Sequence, residues 1–367
     1  METKWLVRAA FLAVVGSLTW STQAQAQEPA PAPAPPKKAA EDDAGPFAPK
    51  GKTGKLREAE QAELAPKEEP EAPAPKEKPY AVGADLVYGI GRAGSGTDVG
   101  SAPVEFKVAS IVLGVFYQAD PKISARLRFP ISTGGIDGAD PGQFTEPGNF
   151  SATAAGNVEM GMTYNMDQGP HTKLPLDIGL FLPVASGDRF PPPEGNGRQR
   201  AYLINSAAQW SRGLEEDALF APHRLSLVPK LGLRYAAGGI STGGYVKTPL
   251  LLRMGGGDPP SPPDEYAIKS AVFQGVIGGD FRFDLSRNKI DVGLRAWLSW
   301  QSSEYIERML ASSTPPSKIQ FALEPQLRAA FGQLKAVLGV VLPIGGRLGS
   351  ADLHHVYGFR LGAIYGF

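Results

Sequence analysis

From Tyr80 to Phe367, apolar residues recur at every second position, segment after segment, with turn residues between the segments. A period of two belongs to strands whose faces meet different surroundings. The last segment shows it most fully. His355, Tyr357, Phe359, Leu361, Ala363, Tyr365 and Phe367 fall on one face; Val356, Gly358, Arg360, Gly362, Ile364 and Gly366 fall on the other. The first face is aromatic and apolar, the second small with one charge. In a water-soluble strand Tyr365 and Phe367 would need cover, whereas in a strand that crosses a bilayer they sit in the interfacial aromatic girdle.

Charged residues decide which face is which. Ile123, Ala125, Leu127 and Phe129 alternate with Ser124, Arg126 and Arg128. An arginine on the lipid side near the midplane costs roughly 2–4 kcal/mol, and two would offset much of a barrel's net stability. Arg126 and Arg128 are therefore expected to face a lumen. The same test turns Asp85, Glu159, Asp177, Lys230, Arg234, Asp291, Arg295, Glu324, Arg328 and Arg360 inward, together with Asp280, Arg224, Arg282 and Lys335. It turns rows such as Val158, Met160, Met162 and Tyr164 outward. The inward set is basic by about four charges. Two readings stand: surplus arginine lines a pore and favours anions, or the charges pair across strands and fill a narrow barrel.

In the second segment the apolar parity switches, from Val104, Phe106 and Val108 to Ile111, Leu113, Val115 and Tyr117, which predicts a bulge near Ala109 and Ser110. Connection lengths supply the strand count. Short ones are expected at Asp120-Pro121, 166–171, 284–288 and 332–333, and long ones at 92–103, 132–150, 186–198, 236–265, 301–317 and 345–353. Strict alternation holds if 199–211 is a strand, 212–222 a longer inner turn and 240–254 part of an outer loop. The expectation is an all-β, antiparallel, up-and-down transmembrane barrel of about twelve strands with both ends periplasmic. Taking 240–254 as part of a hairpin gives fourteen. The Ala-rich stretch 200–210 suits helix equally well, and 304–311 has short-helix composition.

The closing segment resembles the last strand of bacterial outer-membrane β-barrels, which commonly end in a Phe read by the insertion machinery. The resemblance implies Phe367 as insertion signal and a place in the outer membrane of a Gram-negative cell. It also implies outer-membrane lipid, lipopolysaccharide and the barrel-insertion machinery as partners. GNVEMGMTY at 156–164, GLFLPVASGD at 179–188 and LEPQLRAAF at 323–331 are similar to a family of outer-membrane proteins named for the meta-pathway of phenol degradation. That resemblance implies a porin-like transport channel without naming the small-molecule solute, and with the charged inner face the expectation is passive diffusion of small polar, anionic or aromatic solutes through a narrow charged lumen. The alternative is a closed structural or surface-interaction barrel acting through its long outer loops.

The rest of the chain narrows the classes. Lys4, Arg8, an apolar run at 9–20 and Ala24-Gln25-Ala26 form a signal peptide over 1–26; a spanning helix needs about 20 apolar residues. Residues 27–79, with PAPAPAPP at 29–36, are too polar and Pro-rich to bury a core and are expected to be a disordered periplasmic linker; a cell-wall contact or a plug for the barrel is the other reading of that leader. The barrel follows over 80–367. Thirty-seven basic residues balance thirty-seven acidic ones, so nothing points to nucleic acid, and the lack of cysteine excludes disulfides, thiolate metal sites and a Cys nucleophile. The histidines, His171, His223, His354 and His355, stand in no triad-like motif. Asp137-Gly-Ala-Asp140 lacks the remaining ligands of a calcium loop. Neither a catalytic residue, a metal site nor a cofactor is expected.

Overall fold

The computed structural model describes residues 79–93, 104–138, 149–188, 196–256, 270–286, 289–302, 319–344 and 353–367. The expected signal peptide, the Pro-rich leader, the short helix at 304–311 and most of the long connections lie outside the described residues.

Among the described residues fourteen strand segments follow one another: β1 Tyr80–Ala93, β2 Val104–Gln118, β3 Ile123–Asp137, β4 Asn149–Ala155, β5 Val158–Asp167, β6 Thr172–Leu182, β7 Arg224–Ala237, β8 Ile240–Lys247, β9 Leu250–Arg253, β10 Ala271–Asp284, β11 Ile290–Gln301, β12 Ile319–Phe331, β13 Leu334–Ile344 and β14 Leu353–Gly366. Between β6 and β7 lie two helices, α1 Asn196–Ser211 and α2 Asp217–Phe220. Every strand pairing is antiparallel, and β1 pairs with both β2 and β14, which closes the ring. The number of staves is twelve. Both β4 and β5 pair with β3, one above the other, with Gly156 and Asn157 between them. In the same way β8 and β9 share β7 and β10 as partners, interrupted at Thr248 and Pro249.

Two of the sequence expectations exchange places. Residues 240–253 are wall rather than outer loop, since Gly238 and Gly239 take positive φ and make a tight hairpin after β7. Residues 196–211 are helix rather than strand, and 212–222 is no inner turn: both belong to one long connection over 183–223. With that exchange the connections still alternate, short at 119–122, 168–171, 238–239, 285–289 and 332–333 and long in between. The bulge expected in β2 is absent, and its register against β1 and β3 runs without a shift. The apolar parity changes because Phe106 and Val108 turn inward and pack on the helices, while Leu113, Val115 and Tyr117 face out.

The outer surface explains why the chain needs a bilayer. Met162 is 53% exposed, Leu233 52%, Ile277 61% and Leu298 40%, each alternating with a buried or half-buried neighbour. Such a continuous apolar belt is not left in water by a soluble monomer. No described helix is long and apolar enough to cross a membrane; the strands do, with every ladder satisfied around the ring. The buried apolar core therefore sits inside the barrel, where Ile204, Ala207, Ala208, Leu219 and Phe220 of the helices meet Phe106, Val108, Ile136, Phe181 and Val356 of the wall.

Candidate functional site

Residues 196–223 of the connection between β6 and β7 fold into the lumen and plug it. Helix α1 buries Ala201, the whole run from Ile204 to Ala208, and Ser211, mostly small residues, as a helix enclosed on all sides does. Small residues let it approach the wall closely, and the wall is shaped for it. Gly89 and Gly358 face each other across the β1–β14 seam. A Cβ on Gly358 would lie 2.1 Å from the Ser211 carbonyl oxygen, and one on Gly89 1.6 Å from the Ser211 hydroxyl.

The interruption between β4 and β5 has a partner in the plug as well. Asn157, in the gap between β4 and β5, donates its amide to the carbonyls of Ala218 and Ala221 at 2.9 and 2.8 Å, and its backbone N–H to Leu219 at 2.6 Å. Asn205 of α1 donates to the carbonyls of Ala155 and Ser186 at 3.0 and 2.9 Å. Backbone groups that the strand break removes from the ladder are thus taken up by the plug.

Beyond α1 the chain turns through Gly213 and Leu214, both at positive φ, and presents Arg212, Glu215 and Glu216 to the surrounding wall. Arg212 ion-pairs with Asp85 at 2.5 Å and with Glu216 at 2.7 Å, and donates Nε–H to Ser110. Glu216 also takes Arg128 at 3.0 Å. Glu215 takes Arg295 at 2.9 Å and Lys247 at 3.5 Å, and accepts the Tyr245 hydroxyl at 2.6 Å. The Trp297 indole N–H donates to the Gly213 carbonyl at 2.9 Å, and Gln274 to Asp217 at 2.8 Å. Glu215 and Glu216 belong to the connection, not to a spanning strand. Burial works to raise their pKa values, but Arg295 and Lys247 for Glu215, and Arg212 and Arg128 for Glu216, outweigh it and hold both carboxyls below the ordinary range.

The structure places the sequence-nominated residues as follows. Asp85, Arg128, Glu159, Arg295, Glu324 and Arg360 are buried in a belt of alternating charge around the plug. Arg360 bonds Asp85 at 2.7 Å, Arg295 bonds Glu324 at 2.7 Å, and Glu159 takes both Arg128 and Arg126. Arg126 continues to Asp177 at 2.5 Å. Lys230 lies beside Asp177 in register across β6 and β7. Arg234, Asp291 and Arg328 stand apart from the plug, toward the short-turn end: Asp291 and Arg328 are register partners, and Arg328 donates to Gln326. The four belt arginines, Arg126, Arg128, Arg295 and Arg360, are thus engaged by carboxylates, against the picture of arginines displayed to a pore. Phe367 stacks on Tyr80 with ring centroids 6.2 Å apart, and its N–H donates to the Tyr80 carbonyl at 2.9 Å.

What strand periodicity missed is the plug's own contribution, Arg212, Glu215 and Glu216, with Tyr245, Lys247 and Trp297 that receive it. The signal was there in the charge count: an inner wall basic by about four calls for carboxylates from elsewhere, and Arg212-Gly-Leu-Glu-Glu216 is an acidic stretch available to supply them.

Between the plug and the short-turn end the lumen holds a cavity of about 70 Å³, walled by β3, β5 to β8 and β10 and roofed by Glu215, Glu216 and Leu219. Arg126, Asp177, Lys230, Arg234, Tyr245 and Asp280 line it.

No protein-family profile and no curated protein matches the sequence. Among solved structures the chain is similar to an outer-membrane channel from Pseudomonas putida F1, at 9% identity and TM-score 0.47 over 81% of this chain and 99% of that one. It is similar also to the translocator domain of the autotransporter NalP from Neisseria meningitidis, at 13% identity and TM-score 0.44 over 86% and 94%. The P. putida toluene transporter TodX matches at 9% identity and TM-score 0.39 over 80% and 91%. The closed ring, the apolar belt and the alternation of short and long connections carry the conclusion themselves: this chain is a twelve-stranded β-barrel of the bacterial outer membrane.

Proposed function

We propose that the protein is an outer-membrane channel for small polar solutes, and that residues 196–223, between β6 and β7, are its gate. The observation that carries this reading is the way the lumen is obstructed. The apex of the plug, from Arg212 to Glu216, is held by ion pairs and hydrogen bonds to side chains of the wall and is not itself part of the ladder. Side-chain ion pairs exchange for water without breaking the barrel, so the obstruction is removable while the ring stays closed. Below it a chamber already exists.

The test is conductance of the protein in planar bilayers, comparing wild type with the double variant Glu215→Gln, Glu216→Gln. Removing two charges from the apex leaves Arg128, Arg212 and Arg295 facing fewer carboxylates, which weakens the hold on the plug. The expected result is a rare, brief opening in wild type and a raised open probability in the variant, at unchanged single-channel current. Silence in both, and also in a chain lacking 196–220 that is shown to be folded, would sink the reading in favour of a closed barrel acting through its outer loops.

A further inference from the structure

We propose that the chamber beneath the plug is a binding site for small anions, a halide or a short carboxylate, with the Lys230 ammonium as its fixed positive pole; this deepens the channel reading and rests on it for how the anion arrives.

Five carboxylates line the chamber. All five are engaged: Glu159 by Arg126 and Arg128, Asp177 by Arg126, Glu215 by Arg295 and Lys247, Glu216 by Arg128 and Arg212, and Asp280 by Arg282 at 2.8 Å. Lys230 is different. Its Nζ lies 4.4 Å from the centroid of the Tyr245 ring, and among the described residues no carboxylate comes within ion-pair reach of it. The ring face offsets part of the charge. It uses none of the ammonium's three hydrogen-bond donors. Tyr245 is itself fixed, because its hydroxyl is committed to Glu215, so the ring holds the ammonium at the chamber wall. Arg234, four residues along the same inward row of β7, adds a second positive charge to the lining.

A half-buried cation with unused donors, in a small space between low-dielectric walls, attracts an anion more strongly than the same group at an open surface. A cation has no corresponding attraction there, since each lining carboxylate already carries its arginine or lysine. Phe181, Leu219 and Val228 form an apolar side to the chamber, which accommodates the hydrocarbon part of a short carboxylate.

Chlorine NMR on the full chain, refolded in detergent micelles, tests this without any need for current. Excess broadening of the chloride resonance reports exchange of chloride on and off a protein site, and sodium acetate is the competitor. The expected result is broadening by wild type that acetate removes, a loss of about tenfold or more in Lys230→Met, as for one hydrogen bond to a charged group, and retention in Lys230→Arg. Lys122→Met, in an exposed turn between β2 and β3, serves as control and keeps the wild-type broadening. Heat-modifiable mobility on a gel checks that each variant is folded. Equal broadening in wild type and folded Lys230→Met overturns the site. Should Lys230→Met not fold, crystals of the unaltered protein soaked in bromide decide: an anomalous peak within hydrogen-bond distance of Nζ supports the site, and its absence overturns it. A protein that never conducts yet shows Lys230-dependent broadening disproves the channel and keeps the anion site; one that conducts with no broadening does the reverse.

Discussion

Ser211 reaches the barrel wall only because two glycines on neighbouring strands leave room for it. Gly358→Ala places a methyl group about where the Ser211 carbonyl oxygen now sits, and overpacking of that kind costs typically about 1–3 kcal/mol. The cost falls on the plug and not on the β1–β14 ladder, so the expected outcome is faster protease cleavage within 196–223 at an unchanged barrel melting temperature. Arg212→Met is the harsher change. It leaves Asp85 and Glu216 buried beside each other with one cation fewer, worth about 3–5 kcal/mol for a broken buried pair, and urea denaturation in micelles should show the fall in midpoint. Strand alternation, with the cost of an arginine in lipid, was enough to orient Arg126, Arg128 and Arg360. It was silent on their partners, because Arg212 sits 127 residues from Asp85 and no local period links them. Gly89 and Gly358 were equally silent in sequence, where a glycine in a strand marks a close approach without naming what approaches.

At the scale of elements, sequence periodicity worked where a segment has one face in lipid and failed where it does not. Helix α1 touches no lipid, and its Ala-rich composition suits either state, so only the surrounding wall decides. The apolar inner residues of β2, Phe106 and Val108, disguised themselves as a bulge for the same reason: they face a protein core inside a barrel, an environment the lipid-outside, water-inside pattern does not contain. The plug as an element should respond to acid. Glu215 and Glu216 have folded-state pKa values below the ordinary Glu value of about 4.3. A depressed carboxyl stabilises the folded arrangement fully above that ordinary value and loses the contribution as pH falls through the folded one. Open probability in bilayers should therefore be flat from neutral pH down to about 4.3 and rise below it, and the Glu215→Gln, Glu216→Gln variant should lose that rise. A response centred near neutrality would contradict the assignment.

The whole molecule presents lipid with a belt and water with two rims, and substitutions should cost according to depth. Leu294, outward and near the middle of β11, is 45% exposed, while Ile290 stands at the start of the strand. Leu294→Arg should destabilise the barrel in vesicles by roughly 2–4 kcal/mol and Ile290→Arg by roughly 0–1, read from urea unfolding midpoints; equal costs would mean that the belt is misplaced. The ring closes where β1 meets β14, and at that seam Asp85, Arg360 and Arg212 form one buried cluster drawn from the beginning, the end and the middle of the barrel sequence. A ring that closed ahead of residues 196–223 would seal Arg128 and Arg295 inside without Glu216 and Glu215, and the helices would have to thread into a finished cylinder afterwards. The cheaper route is for the wall to wrap around the connection, which then acts as the mould on which the cylinder is cast, and the joining of first strand to last becomes the slow, long-range step that the mould permits.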